Sequence, residues 1–117
     1  MITPLLLCLV ASVSDGDSIR CQDGTRLRLA GIDAPEMSHC RRGRICAPGD
    51  PRASRDNLRR LAGASIRYRI VDANLCKRGF QATDHYGRRV VRAFVGGVDL
   101  SKAQLRGGFA MIWECRK

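Results

Sequence analysis

Five charged residues in this sequence form a set that could hydrolyse a phosphodiester. Asp17 and Asp33 could offer carboxylate oxygens to one divalent cation, and Ca²⁺ prefers such hard ligands at its ~6–8 positions. Arg28 and Arg88 could direct fixed positive charge at a phosphate whose negative charge grows during attack. Glu36 would lie close to both groups and could orient or deprotonate a water molecule. A metal, a water activator and a charge clamp are the parts of a phosphodiesterase.

The motifs around these residues resemble those of the staphylococcal nuclease family in order and in spacing. They are Asp-Gly-Asp-Ser at 15–18, Arg-Leu-Arg-Leu at 26–29, Gly-Ile-Asp-Ala-Pro-Glu at 31–36, Asp-His-Tyr-Gly-Arg at 84–88 and Gly-Val-Asp-Leu-Ser at 97–101. The similarity extends from about Leu9 to Ala110, and the ordered set is far more specific than any single motif. The resemblance implies a mainly β, α+β fold: a five-stranded OB-fold barrel with two short helices packed on it.

The resemblance also implies an activity, namely Ca²⁺-dependent cleavage of DNA and RNA that leaves 3′-phosphate ends. The family's metal ligands fall on Asp17, Asp33 and the main-chain carbonyl of Ala34, where Ala replaces the usual Thr. Its catalytic residues fall on Arg28, Glu36 and Arg88, so that no member of this core set is missing.

Substrate contacts are implied at two further places. Tyr86 matches a residue that contacts phosphate, and Trp113 lies near the segment that packs against nucleobases. Tyrosines usual in that segment are replaced by Glu114 and Arg116. The residues alone predict a third contact, in which a basic loop attracts the nucleic-acid backbone without reading bases. The loop arginines are Arg41, Arg42 and Arg44.

The charge balance agrees with a polyanionic partner. The chain of 117 residues has 21 Lys and Arg against 11 Asp and Glu, a net charge of +10. Two alternatives remain open from the residues: a nucleic-acid-binding OB module that does not cleave, and a disulfide-linked basic protein that acts on membranes or binds a protein partner. No apolar run approaches the ~18–20 residues of a membrane span, and we expect a single domain over 1–117 that is monomeric.

Six cysteines in so short a chain favour an oxidising compartment, which predicts a secreted or periplasmic protein. Cys40 and Cys46 bracket a loop rich in Pro, Gly and Arg, and they are the one pairing that we predict. The other pairings stay open, including whether Cys8 pairs at all. Residues 1–8 are either the remnant of a signal region or the start of the first strand.

Local patterns predict the elements that would position these residues. A two-residue turn at Asp23-Gly24 would join two of the strands, Asp50 and Gly63 would cap the first helix, and Ser101 would cap the second. The predicted strands are Leu7–Val13, Ser18–Cys21, Thr25–Ile32, Ser65–Val71, Arg89–Val95, Val98–Leu100 and Phe109–Glu114.

Overall fold

The computed structural model of the protein describes residues 4–38, 40, 42–43, 45–73 and 79–113. Within these residues the chain forms eight strands and two helices. They are β1 Leu6–Asp15, β2 Ser18–Cys21, β3 Arg26–Leu29, β4 Ile32–Asp33, α1 Pro51–Ala62, β5 Ser65–Ile70, β6 Arg89–Val95, β7 Val98–Asp99, α2 Leu100–Arg106 and β8 Met111–Ile112. None of the helices in this part of the chain is long and apolar enough to cross a membrane.

Five strands close into a mixed β-barrel, which confirms the predicted OB-fold-like α+β class. The strand order is β3-β2-β1-β5-β6, and a parallel pairing of β3 with β6 closes the sheet on itself. β7 extends β6 as a short hairpin, while β4 and β8 pair separately. Residues 1–8 were expected to be either a signal remnant or the start of the first strand. From Leu6 onward they belong to β1.

The barrel interior is filled by the apolar side of each strand, as the alternating pattern predicts. Leu27 and Leu29 of β3 are buried, whereas Arg26 is exposed and Arg28 half-buried on the opposite face. Leu58 of α1 is also fully buried, so that this helix packs on the barrel and completes the core. The outer face of β3 is thereby left to present arginines.

The first helix begins and ends where its caps predict. The Asp50 carboxylate accepts the N–H groups of Arg52 and Ala53 at 2.9 and 3.3 Å, Pro51 is the first helical residue, and Gly63 is the C-cap. The start predicted for the second helix is wrong, because Asp99 and not Ser101 is its N-cap.

A longer-range contact explains this difference at α2. The Asp99 carboxylate accepts Lys102 N–H at 3.2 Å and is fixed from the other side by Arg92. Ser101 is buried and donates its hydroxyl to the carbonyl of Ala30 at 2.8 Å, so that it joins the helix to the barrel instead of capping it.

Two disulfides lie in the described part of the chain. Cys40 pairs with Cys46, as predicted, and Cys8 pairs with Cys21, which joins β1 to β2. Two such bonds indicate an oxidising, extracellular-type environment. Cys76 and Cys115 lie outside the described residues.

Candidate functional site

Two buried aspartates and one arginine meet at one end of the barrel. Asp17 lies in the turn between β1 and β2, Arg28 comes from β3, and Asp33 ends β4. Arg28 Nη1 lies 3.3 Å from Asp17 Oδ2, and Arg28 Nη2 lies 3.5 Å from Asp33 Oδ1. The guanidinium therefore bridges the two carboxylates. Since two negative charges share one positive charge, this buried acid–arginine cluster has a formal net charge of −1.

Two hydrogen bonds fix the orientation of the Asp17 carboxylate. Its Oδ2 accepts the main-chain N–H of Ala34 at 2.9 Å, and its Oδ1 accepts the hydroxyl of Ser18 at 2.9 Å. The first bond joins the turn before β2 to the residue directly after Asp33. The two aspartates are thus held together by backbone as well as by Arg28.

A buried polar network behind the cluster holds the turn that carries Asp17. A Cβ atom at Gly16 would lie 1.8 Å from Ser54 Oγ, so that only glycine allows α1 to approach this closely. Gln104 of α2, fully buried, donates its amide to the carbonyls of Gly16 and Ser54 at 2.8 and 3.0 Å. Both helices therefore position the turn.

Arg88 approaches the same cluster from the loop before β6. Its Nε donates to Asp84 Oδ2 at 2.8 Å, and its Nη1 donates to Ser18 Oγ at 3.1 Å. Because Ser18 donates in turn to Asp17, a chain of hydrogen bonds joins Arg88 to the acid–arginine cluster. The Arg88 guanidinium carbon also lies 5.3 Å from the ring centroid of Tyr86, within cation–π range.

Two cavities meet at Arg88 and Tyr86, which line both of them. One, the Glu36 cavity, has a volume of about 500 Å³. The other, the Trp113 cavity, has a volume of about 480 Å³ and contains Arg28 in its wall. A polymer lying across both cavities would pass over Arg88.

The structure brings together five of the six residues that the resemblance assigns to catalysis and to metal binding. Asp17, Arg28, Asp33 and Ala34 form one cluster, and Arg88 is joined to it through Ser18. Glu36 and Trp113 do not share a cavity: each lies in the wall of its own, on either side of Arg88.

The remaining predicted residues are on the surface or outside the described part. Tyr86 and Trp113 are 52% and 40% exposed, which leaves their rings accessible to a ligand, and Arg42 is exposed in the loop between Cys40 and Cys46. Arg41, Arg44, Glu114 and Arg116 lie outside the described residues.

The acid–arginine cluster offers two carboxylates as ligands for a divalent cation. The described residues contain no group of three or more His, Cys, Asp or Glu side chains that could hold a metal ion. Two convergent carboxylates are present, however, and they already enclose a cation, the guanidinium of Arg28. Their buried hard oxygens and net negative charge fit calcium, provided that main-chain carbonyls and water complete the coordination.

Sequence reasoning missed several residues that build the site. Ser18 and Asp84 lie within the quoted motifs but were given no role, although a hydroxyl and a carboxylate so close to candidate residues are a usable signal. Gln104 had no such signal, because its contacts to Gly16 and Ser54 join residues 88 and 50 positions away.

No family model matches the chain, and no curated protein matches it.

Proposed function

We propose that this protein is a calcium-dependent nuclease of the staphylococcal nuclease kind, which hydrolyses DNA and RNA with little sequence specificity and leaves 3′-phosphate ends. We propose further that it is a secreted or periplasmic monomer. One observation carries the proposal: Asp17, Arg28 and Asp33 converge, and Arg88 reaches them through Ser18. Segments far apart in sequence bring acids and guanidiniums to one place, as phosphoryl transfer requires.

The metal site of this proposal uses the two aspartates. Calcium would be held by the carboxylates of Asp17 and Asp33 and, as the family resemblance implies, by the carbonyl of Ala34. When bound, it would draw electron density from a phosphate by coordinating a non-bridging oxygen. The Ala34 N–H group would keep Asp17 Oδ2 oriented, since it donates to that oxygen at 2.9 Å.

The two arginines would act as the charge clamp. Arg28 and Arg88 would donate to phosphoryl oxygens, whose charge increases as water adds to phosphorus. Both guanidiniums are already fixed by hydrogen bonds, Arg28 to the carbonyl of Leu29 at 2.8 Å and Arg88 to Asp84 and Ser18. Arg88 would then need little rearrangement during the reaction, whereas Arg28 would have to release the two carboxylates that calcium binds.

Glu36 would be the group that handles the attacking water. It lies in the wall of the cavity that Arg88 and Tyr86 also line, so that a water there could face a phosphate held at Arg88. The new P–O bond would form from this water while the bond to the 5′-oxygen breaks. The water proton would pass to Glu36, and the leaving 5′-oxygen would take a proton from solvent.

Weak sequence specificity follows from the residues around the site. Charged and hydroxyl side chains line the Glu36 cavity, and such groups contact phosphates without distinguishing bases. In the Trp113 cavity, Tyr86 and Trp113 supply aromatic faces on which any base could stack. Arg41, Arg42 and Arg44 would add attraction to the backbone, so that binding should weaken steeply with salt.

The test is cleavage of plasmid DNA and of RNA by the wild-type protein in calcium and then in excess EGTA, followed by analysis of the product ends. We expect cutting of both polymers in calcium only, with phosphate on the 3′ ends. The matched control is Arg67→Ala, which removes an exposed arginine of β5 outside both cavities. Binding without cutting in either condition would favour the non-catalytic OB module instead.

A further inference from the structure

A row of polar side chains crosses three strands of the barrel beside the acid–arginine cluster. Ser12 of β1 lies opposite Arg20 of β2, and Arg20 lies opposite Arg26 of β3. All three are exposed, and all three line the Glu36 cavity. We call Ser12, Arg20 and Arg26 the outer row.

The outer row contains an arrangement that costs stability in the free protein. Arg20 and Arg26 are cross-strand neighbours of like charge, and such pairs are destabilising when directly opposite. Within the described residues, no ion pair to a carboxylate is formed by either arginine. Two guanidiniums side by side in a cavity wall are suited to an anion that bridges them.

The outer row is parallel to a second row that contains the site itself. Ser18 of β2 lies opposite Arg28 of β3, and these residues are two positions from Arg20 and Arg26 on the same strands, hence on the same face. Two residues of strand span about 6.7 Å. This distance is comparable to the separation of successive phosphates along a single nucleic-acid strand.

Arg26 also connects the outer row directly to the loop that carries Arg88. Its Nη2 donates to the main-chain carbonyl of Tyr86 at 2.5 Å, and a Cβ atom at Gly87 would lie only 3.0 Å from the same nitrogen. The Arg26 guanidinium is therefore held against the junction of the two cavities. A chain passing over Arg88 into the Glu36 cavity would meet it next.

We propose that Arg20 and Arg26, with the hydroxyl of Ser12, form a second phosphate subsite. It binds the phosphate adjacent to the scissile one on the side of the Glu36 cavity. The inference rests on the proposed function for the identity of its ligand, a single-stranded polynucleotide, and adds the direction in which that strand leaves the reaction site. Bases are not read here, because the outer row offers cations and a hydroxyl and no aromatic face.

The test is the binding of a 5′-fluorescein-labelled oligothymidylate of about eight nucleotides, followed by anisotropy in EGTA over a range of salt concentrations. We expect Arg20→Gln to raise Kd roughly five- to tenfold. The slope of log affinity against log salt should become shallower by about 0.7, the value for one phosphate contact on a single strand. The matched control, Arg67→Gln, removes the same charge from β5 and should change Kd by less than about twofold.

A second measurement, of thermal unfolding, probes the like-charge pair first without and then with the oligonucleotide. Because Arg20→Gln removes the repulsion with Arg26, the free variant should unfold at a higher temperature than the wild type, and added oligothymidylate should stabilise it less.

The results separate the subsite from the proposed function. Equal affinities and equal salt slopes for Arg20→Gln and Arg67→Gln would overturn the subsite, even if the wild type cleaves nucleic acid. Conversely, an Arg20-dependent salt slope in a protein that never cleaves would leave the subsite standing as a binding site and overturn the nuclease.

Discussion

Arg28 and Arg88 have the same proposed role but are anchored in different ways. Arg28 lies on a barrel strand between two buried aspartates, which are themselves the proposed metal ligands. Arg88 lies at the end of a loop, and its carboxylate partner, Asp84, belongs to that same loop. Arg28 thus approaches the site from a barrel strand, and Arg88 approaches it from a loop, which we call the loop side.

Removal of the arginine therefore has different consequences at Arg28 and at Arg88. Loss of Arg28 would leave two buried carboxylates without their shared cation, so that fold and reaction would suffer together. Loss of Arg88 would leave Asp84 in a partly exposed loop, where solvent can compensate. Only on the loop side can the charge clamp be removed while the fold stays intact.

The largest expected effect on stability is that of Arg28→Ala. We expect the free energy of unfolding to fall by about 3 kcal/mol in EGTA, because Asp17 and Asp33 then repel each other in a buried position. Added calcium should recover part of this loss by replacing the missing positive charge. Urea unfolding with and without calcium measures both effects. If calcium stabilises the variant no more than it stabilises the wild type, the two aspartates are not a cation site.

A smaller effect is expected for Asp84→Asn on the loop side. The substitution removes the charge that fixes Arg88 Nε but keeps an amide oxygen for the N–H groups of Tyr86 and Arg88. We expect kcat to fall about tenfold, with the free energy of unfolding changed by less than about 1 kcal/mol. The matched control is Asp56→Asn, which alters the ion pairs of an exposed carboxylate with Arg55 and Arg59 on α1 and should leave kcat unchanged. An Asp84→Asn variant with wild-type kcat would show that Arg88 needs no positioning.

The smallest expected effect is the loss, in acid, of the stability that Asp23 contributes. Asp23 lies between β2 and β3, the strand that carries Arg28. The backbone N–H of Thr25 donates to Asp23 Oδ1 at 2.9 Å and lowers the pKa of that carboxyl below its ordinary value of 3.8. A lowered pKa in the folded state stabilises the protein above pH 3.8, and this contribution is lost as the pH falls through the folded value. Wild type should therefore unfold at a slightly higher temperature than Asp23→Asn near neutral pH, with the difference gone in acid. A difference that persists in acid would contradict this assignment.

Sequence reasoning correctly predicted the features that depend on local chemistry. The Asp50 and Gly63 caps of α1, the burial of Leu27 and Leu29, and the Cys40–Cys46 bond all follow from residues close together in the chain. The convergence of Asp17, Arg28 and Asp33 could be predicted only from the ordered motifs. No local pattern in the sequence indicates that a turn, β3 and β4 lie together.

The sequence did not predict the register in which β1, β2 and β3 pair. The predicted two-residue turn at Asp23-Gly24 would pair Arg20 with Leu27, whereas four residues separate β2 from β3 and Arg20 lies opposite Arg26. The Cys21 N–H group donates to the carbonyl of Thr25 at 2.8 Å, which sets this register instead of the one that a two-residue turn requires. The Cys8–Cys21 pairing stayed open in the sequence for a similar reason, since β1 and β2 shift register after Val10.

The most direct test of the nuclease is the initial rate of calcium-dependent cleavage of single-stranded DNA by wild type, Arg88→Ala and Arg67→Ala at equal protein concentration. We predict that Arg88→Ala lowers the rate by about 10²–10³-fold, the usual cost of one lost transition-state contact, and retains the wild-type free energy of unfolding. Arg67→Ala, which removes the same charge from β5, should cleave at nearly the wild-type rate. Cleavage by Arg88→Ala at the wild-type rate would contradict the account.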